Sequence, residues 1–407
     1  MFCGIDWADD HHDVALVSDD GSLLASFRIS DDRPGLEQLL DALAAHGDTA
    51  EDPAPVAIET PRGLLVRALR ATGRPVYAIN PLAASRYRAR RSVSRAKSDA
   101  ADARLLADIL RTDQAAHRPL SDDSDLLAGI SVLARAHQDA IVERRRITNR
   151  LRAHLREYFT AALRAFEGSG NRGLDSHLAR VVLAAAPTPA AAAALDLDQL
   201  AALLTSGGPQ PRRVEPELER LRTVFGSGAA LRQPAQVEEA MGRQTAALVR
   251  QLDAICHAVT DLAEGIEQAF AQHPDAAIIT SFPGLSTISG ARVLAELGDD
   301  RSRFASARAL KAYAGSAPVT RASGRSHAVS ARVVKNQRLA GTGYMWAFAA
   351  LRTPGPREHY KRRRATGERH TAALRNLFNR LLGCLYHCLQ NGQSFDAAKA
   401  FALELRT

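Results

Sequence analysis

Apolar and polar positions alternate through the opening segment with the period of two that a half-buried strand requires. Residues 2–8 (FCGIDWA), 13–18 (DVALVS) and 23–29 (LLASFRI) predict three strands, with Asp19-Asp20-Gly21 as a turn between the last two. The period then lengthens. Pro34 opens a helix through Leu36, Leu39, Leu40 and Leu43, and Gly47 closes it. Residues 55–59 (PVAIE) predict a buried strand, 63–72 a helix and 75–79 (PVYAI) another strand.

Two longer patterns follow. Leu126, Ile130, Leu133, Ala140, Ile147, Leu151 and Tyr158 form one heptad-like series, and Met241, Leu248, Leu252, Ile255, Val259, Leu262 and Ile266 form another. Such spacing predicts two long coiled-coil helices that pair with each other or with another subunit. Between them, residues 166–235 are rich in Ala, Gly and Pro, and suggest an insertion with short helices at 189–204 and 215–224 rather than a domain core. Gly168, Gly170 and Gly173 spell GxGxxG there, but they follow a helical run instead of a strand, which argues against a dinucleotide site. From about residue 274 the chain turns mostly helical. SFPGLSTISGARVLAEL (281–297) has the form of a helix-hairpin-helix, with Pro283-Gly284 at its turn; a plain helical hairpin fits equally well. A helix over 304–314, a polar loop over 316–330 and a helix around 343–352 complete the reading.

Three meander strands followed by helix, strand, helix and strand is the order of the ribonuclease-H-like fold. Against that frame certain carboxylates stand in odd places. Asp6 sits within an apolar strand, where burial is costly unless the charge is paired or bound to metal. Glu59 repeats the oddity at the end of the fourth strand, which neighbours the first in such a sheet. Asp99 and Asp102, three apart behind a capping Ser98, share one face of a helix start. Each alone has a plainer explanation, an edge-strand aspartate or an acidic first turn favoured by the helix dipole. Together they form an all-oxygen ligand set suited to Mg²⁺ or Mn²⁺.

Charge supports polyanionic partners. The formal net charge is +8 in 407 residues, and its distribution is uneven. Residues 1–60 carry fourteen acids against two arginines, and residues 61–111 carry twelve bases against three acids. Arg86, Arg88, Arg90, Arg91, Arg95 and Lys97 make a basic stretch suited to gripping a nucleic-acid backbone, although a basic solvated helix is also expected to look like this. Eight bases against two acids lie between Arg357 and Arg380. Four cysteines without a CxxC pair give no disulfide framework or zinc site, and Cys384 and Cys388 are expected to pack in a helix. Asp6, Asp9 and Asp10 interrupt any apolar leader, and no apolar run of roughly 18 residues offers a membrane span. A cytoplasmic protein is expected.

GIDWA, AIET, INP (79–81) and KSDAADARLLAD in the first segment, then PGLSTISGARVLAELGD, RFASARALKAYAGSAP and RASGRS in the last, closely resemble the IS110-type insertion-sequence transposases. The resemblance implies a RuvC-like domain whose Asp-Glu-Asp-Asp tetrad is Asp6, Glu59, Asp99 and Asp102. It also implies a serine nucleophile, which aligns with Ser323 between Arg321 and Arg325, with Ser326 the nearest rival. In that family the serine is thought to form a phosphoserine link to DNA, and a structured non-coding RNA specifies donor and target. The expected partners are therefore double-stranded DNA at element ends and target, a guide RNA, and further copies of the chain as a dimer or tetramer, in the bacterial nucleoid. The expected domains are a RuvC-like metal-binding domain (1–118), coiled-coil helices with the insertion (119–273), and a C-terminal transposase domain (274–407). The fold class is α/β plus all-α.

Other readings remain open at this point. A RuvC-like junction endonuclease would hydrolyse DNA without the serine segment. The first strands also resemble a phosphate loop of the sugar-kinase and actin-like ATPase fold, but no second aspartate-glycine loop or adenosine motif follows. A non-catalytic nucleic-acid-binding protein would leave the four carboxylates unexplained.

Overall fold

Strands β1 (Phe2–Trp7), β2 (His11–Val17) and β3 (Leu23–Ser30) form an antiparallel meander. They are followed by α1 (Arg33–Ala45), β4 (Val56–Ile58), α2 (Leu64–Ala71), β5 (Val76–Ala78), α3 (Pro81–Arg91) and α4 (Asp99–Asp113). The sheet order is β3-β2-β1-β4-β5, with β4 parallel to both β1 and β5. This is the strand order of the ribonuclease-H-like fold expected from the pattern. One boundary differs: β2 begins at His11, two residues before the start that the alternation predicts.

This is a computed structural model; it describes residues 1–91, 98–168, 173–206, 214–226, 231–323 and 326–401. The chain divides into two compact units, Met1–Asp122 and Asp123–Thr407. In the first unit, one face of the sheet packs Ile5, Val14, Leu16 and Ile58 against Leu39 and Leu43 of α1 and Leu65 and Leu69 of α2. The other face carries Ala57, Tyr77 and Ile79 against Leu106, Ile109 and Leu110 of α4. The strand alternation explains the split, because successive side chains leave opposite faces. Helix α4 lies directly on β1 because Gly4 has no side chain. A β-carbon there would stand 2.0 Å from the Ala103 carbonyl oxygen and 2.4 Å from the Ala107 nitrogen.

The second unit is built on α5 (Asp125–Tyr158), followed by α6 (Thr160–Ala165), α7 (His177–Ala185), α8 (Pro189–Ala194), α9 (Leu197–Ser206), α10 (Val214–Gly226) and α11 (Ala235–Ala271). Then come α12 (Ala276–Thr280), α13 (Thr287–Leu297), α14 (Ala307–Tyr313), β6 (Val319–Ser323), β7 (Ser326–Ser330), α15 (Gln337–Ala350), α16 (Pro354–Ala365), α17 (His370–Asn391) and α18 (Ala397–Phe401). Helices α5 and α11 pack antiparallel within the chain. Leu133 faces Gly265 near one end, while His154 bonds the Met241 carbonyl at 2.9 Å and Tyr158 bonds Thr245 at 2.5 Å near the other.

Two cores are strung along this helix pair. At one end Leu127 and Ile130 of α5 and Ile266 and Phe270 of α11 join Leu294, Trp346, Leu377 and Leu381 of the C-terminal helices. The boundary expected at residue 273 is therefore not a boundary of compactness, since both long helices share a core with the segment after it. At the other end Leu151, Leu155, Leu248 and Leu252 close over Leu183, Leu204, Leu221 and Phe225. The segment 166–235 does form short helices, but it contributes to a core, contrary to the expectation that it is not part of one. Its helices are too short, and too diluted with alanine, to show an apolar stripe in the sequence.

Two further corrections concern the C-terminal segment. The polar loop expected at 316–330 is a β-hairpin, in which Val319 pairs with Ser330 and Ser323 with Ser326. Its alternating Val, Thr and Ala positions suit a strand better than their polarity suggested. The Pro283-Gly284 turn does join two helices, α12 and α13, and it is held from within: Trp346 Nε1 donates to the Pro283 carbonyl at 3.0 Å, and a β-carbon on Gly284 would meet the Ala350 nitrogen at 2.5 Å. Cys384 and Cys388 are free thiols whose pKa burial pushes up, consistent with helix packing. Among the described residues no helix is long and apolar enough to cross a membrane.

Candidate active site

The register of three strands sets out a row of acidic residues on the face that α4 covers. Asp6 of β1 stands opposite Asp13 of β2. On its other side Ile5 pairs with Ile58, the last residue of β4, so Asp6 and Glu59 each follow directly after the point where the two parallel strands cease to pair. Asp6 shares the face of Gly4, because it lies two residues further along the same strand, and therefore stands on the α4 side. Carboxyl ends of parallel strands are where open α/β sheets commonly bind ligands.

Helix α4 brings the remaining two. Ser98 caps it, its side chain accepting from the Ala101 amide at 3.3 Å. That places Asp99 and Asp102 in the first turn, where exposed amides favour negative charge. The two differ in setting. The Asp102 side chain is 6% exposed and accepts from Arg88 Nη2 of α3 at 2.6 Å, whereas that of Asp99 is 60% exposed. Asp99 instead approaches the open end of β2, and it can offer a ligand atom together with His11 and Asp13, all within 4.8 Å of one another.

Arg28 of β3 completes the row. Its guanidinium donates to Asp13 at 2.8 Å and lies 3.9 Å from Asp99. The Asp13 hydrogen bond, above all, raises the pKa of Arg28. His11 also contacts Asp10 at 2.7 Å. Deeper in α4, Asp108 is buried and paired with Arg111 at 3.0 Å, a structural ion pair two turns from the carboxylate row.

Of the four carboxylates singled out in the sequence, only Asp99 belongs to a group of three possible ligands whose atoms lie within 4.8 Å of one another among the described residues, and its companions there are His11 and Asp13 rather than Asp6, Glu59 and Asp102. His11, Asp13 and Arg28 were missed. A hairpin register counted across Ala8-Asp9-Asp10 would have placed Asp13 opposite Asp6; starting the second strand at Asp13 concealed this. The basic stretch divides. Arg86 and Arg90 are exposed on α3, with Arg90 over the Tyr87 ring at 5.6 Å. Arg88 instead turns inward onto Asp102. Arg95 and Lys97 lie outside the described residues, as does the side chain of Arg91. In the second unit Ser323 is exposed at the end of β6, next to the hairpin tip. Arg325 and the side chains of Arg321 and Ser326 lie outside the described residues.

Comparison with known proteins gives two family matches. Residues 3–160 match a family described as a transposase, and residues 276–361 match the family described as transposase IS116/IS110/IS902. The chain is 59% identical over 403 residues to the "Mini-circle putative transposase for IS117" of Streptomyces coelicolor, covering 99% of this chain and 97% of that protein. It is 30% identical over 407 residues to the 44.8 kDa protein of insertion element IS116 of Streptomyces clavuligerus, covering 98% and 96%. It is 29% identical over 418 residues to the 42 kDa protein of IS900 of Mycobacterium paratuberculosis, covering 99% and 98%.

Proposed function

The chain belongs to the IS110-type transposases, enzymes that move an insertion element by DNA strand transfer, and we propose that its own chemistry uses the carboxylates Asp6, Glu59, Asp99 and Asp102 together with a Ser323 nucleophile. The observation that carries this reading is the parallel pairing of β1 with β4, which stops at Ile5 and Ile58, one residue before Asp6 and Glu59, together with the Asp99 and Asp102 turn that opens α4. All-oxygen donors on one face fit a divalent cation such as Mg²⁺ or Mn²⁺. The grouping of His11, Asp13 and Asp99 ligand atoms within 4.8 Å, one member of which is Asp99, supports a cation in this neighbourhood. Bound there, the cation supplies Lewis-acid stabilisation of charge on a scissile phosphate.

The protein's own groups have separate tasks. Asp6 and Asp102 are held by strand and helix backbone, which favours a fixed direction before substrate arrives. Ser323 Oγ attacks phosphorus, and the bond from phosphorus to the sugar oxygen breaks. The resulting phosphoserine ester conserves the bond energy that rejoining needs. Arg86, Arg90 and Arg91 of α3, with Arg95 and Lys97 beyond it, neutralise backbone phosphate without reading base sequence. Arg321 and Arg325 do the same around the serine. A structured RNA as guide, a dimeric or tetrameric assembly and a nucleoid location complete the reading, all on the strength of the family resemblance.

The test is recombination on the element's own junction, with the co-expressed RNA, by Asp6→Asn, Asp102→Asn and Ser323→Ala proteins. Strand exchange is expected to fall at least about a hundredfold in each, the scale of removing a group that acts at the reacting phosphate. Normal recombination by all three refutes the mechanism. Undiminished cleavage by Ser323→Ala alone points instead to a hydrolytic junction endonuclease.

A further inference from the structure

Arg88 is where the arrangement departs from what a phosphate-gripping arginine requires. Helix α3 starts at Pro81, with Asn80 Oδ1 accepting the Leu82 amide at 2.8 Å. Its inner side carries buried Ala84 and half-buried Tyr87, whose hydroxyl bonds Thr112 of α4. Arg88 follows on the same side. Its Nη2 reaches Asp102 Oδ1 at 2.6 Å, with the carboxylate side chain 6% exposed and the guanidinium 26% exposed.

As a structural ion pair this is incomplete. A buried arginine–carboxylate pair repays its desolvation when the fork is engaged in full. Here Arg88 Nε is buried and has no hydrogen-bond partner among the described residues. The guanidinium supplies the positive charge that Asp102 needs and leaves one of its own donors unsatisfied. A divalent ion would supply twice that charge to Asp102. Arg88 has an outlet, because its helix neighbours Arg86 and Arg90 are already exposed.

We propose that Arg88 is a resident counter-cation for Asp102, displaced when a divalent ion binds and thereby released to the phosphate of the nucleic-acid substrate. The proposal rests on the reading of Asp6, Glu59, Asp99 and Asp102 as the cation site. It makes Arg88 a positioning residue that couples two binding events. A metal ion that frees Arg88 strengthens binding of the phosphate, and by linkage the phosphate strengthens binding of the metal.

The experiment measures Mn²⁺ affinity by electron paramagnetic resonance on the full chain without nucleic acid. It compares the parent with Arg88→Gln, Arg88→Met, Arg88→Lys and Asp6→Asn, each first checked for parental circular dichroism. The neutral variants are expected to bind Mn²⁺ at least about tenfold more tightly, since removing a cation in contact with a ligand oxygen removes a repulsion that water screens incompletely. Arg88→Lys, which keeps the charge, should stay close to the parent. In the parent, Mn²⁺ should also tighten binding of a short duplex more than it does in Arg88→Gln. Parental Mn²⁺ affinity in both neutral variants, with loss of binding in Asp6→Asn, overturns the role of Arg88 and leaves the cation site standing. Undiminished Mn²⁺ binding in Asp6→Asn overturns the cation site, and the exchange with it.

Discussion

The carbonyl oxygen of Ala103 occupies the space into which a side chain on Gly4 would project, only 2.0 Å from where its β-carbon would be. Ala103 directly follows Asp102, so this contact sets how near the acidic turn of α4 comes to β1. Gly4→Ala should push the helix off the strand. The expected loss of stability is on the order of 3 kcal/mol, because the obstacle is main chain and cannot rotate away. Thermal melting measures that loss. Mn²⁺ affinity should fall with it, although Gly4 offers no ligand atom.

Asp6 and Glu59 are proposed to serve the same ion, and their losses should not add. Asp6→Asn and Glu59→Gln should each abolish most strand transfer, and the double variant should be about as inactive as the weaker single one, the behaviour of groups that act as a unit. Rates measured on one junction substrate decide it. Multiplying losses would mean that the two carboxylates act independently.

Ser323 is exposed at a hairpin end, so Ser323→Ala should leave the melting temperature unchanged. Its expected phenotype is chemical. Denaturing gels should show a covalent protein–DNA species in the parent and none in the variant. A covalent species that persists in Ser323→Ala and disappears in Ser326→Ala would move the nucleophile across the hairpin.

Tyr158 bonds the Pro187 carbonyl and Thr245 at 2.5 Å each, where α5 meets α11, and burial pushes its hydroxyl up to about 12. An unfolded tyrosine ionises near pH 10. The folded state therefore binds this proton more tightly, so its contribution to stability is complete below about pH 10 and is lost as pH rises toward 12. Tyr158→Phe should lower stability by about 1–2 kcal/mol at neutral pH, since it strands a buried acceptor. The same variant should flatten the alkaline limb of a stability–pH curve.

Much of the first unit was legible because its chemistry is local. Strand alternation exposed Asp6 and Glu59 as polar intruders, and the Ser98 cap marked where Asp99 and Asp102 begin a helix. What stayed hidden depended on partners distant in sequence. Asp13 gains meaning only from its register with Asp6, and Arg88 only from the packing of α3 on α4; its neighbours Arg86 and Arg90, identical in type, face the other way. In the second unit, the long helices announced themselves by their heptads. The core they share with α6–α10 did not, because each short helix contributes only a few buried residues, many of them alanines. The hairpin bearing Ser323 was hidden by the polarity of its side chains.

The layout of the carboxylate row also bears on when the protein can become active during its synthesis. Asp6 and Asp13 emerge from the ribosome almost at once, but Glu59 reaches its place only after β4 has paired with β1, and Asp102 only after α4 has settled over Gly4. A nascent chain, or a copy of the element truncated before Asp99, holds part of the row and lacks the helix that completes it. On the proposed reading, the cation site is the last property the first unit acquires, and a product truncated before Asp99 is expected to bind no Mn²⁺.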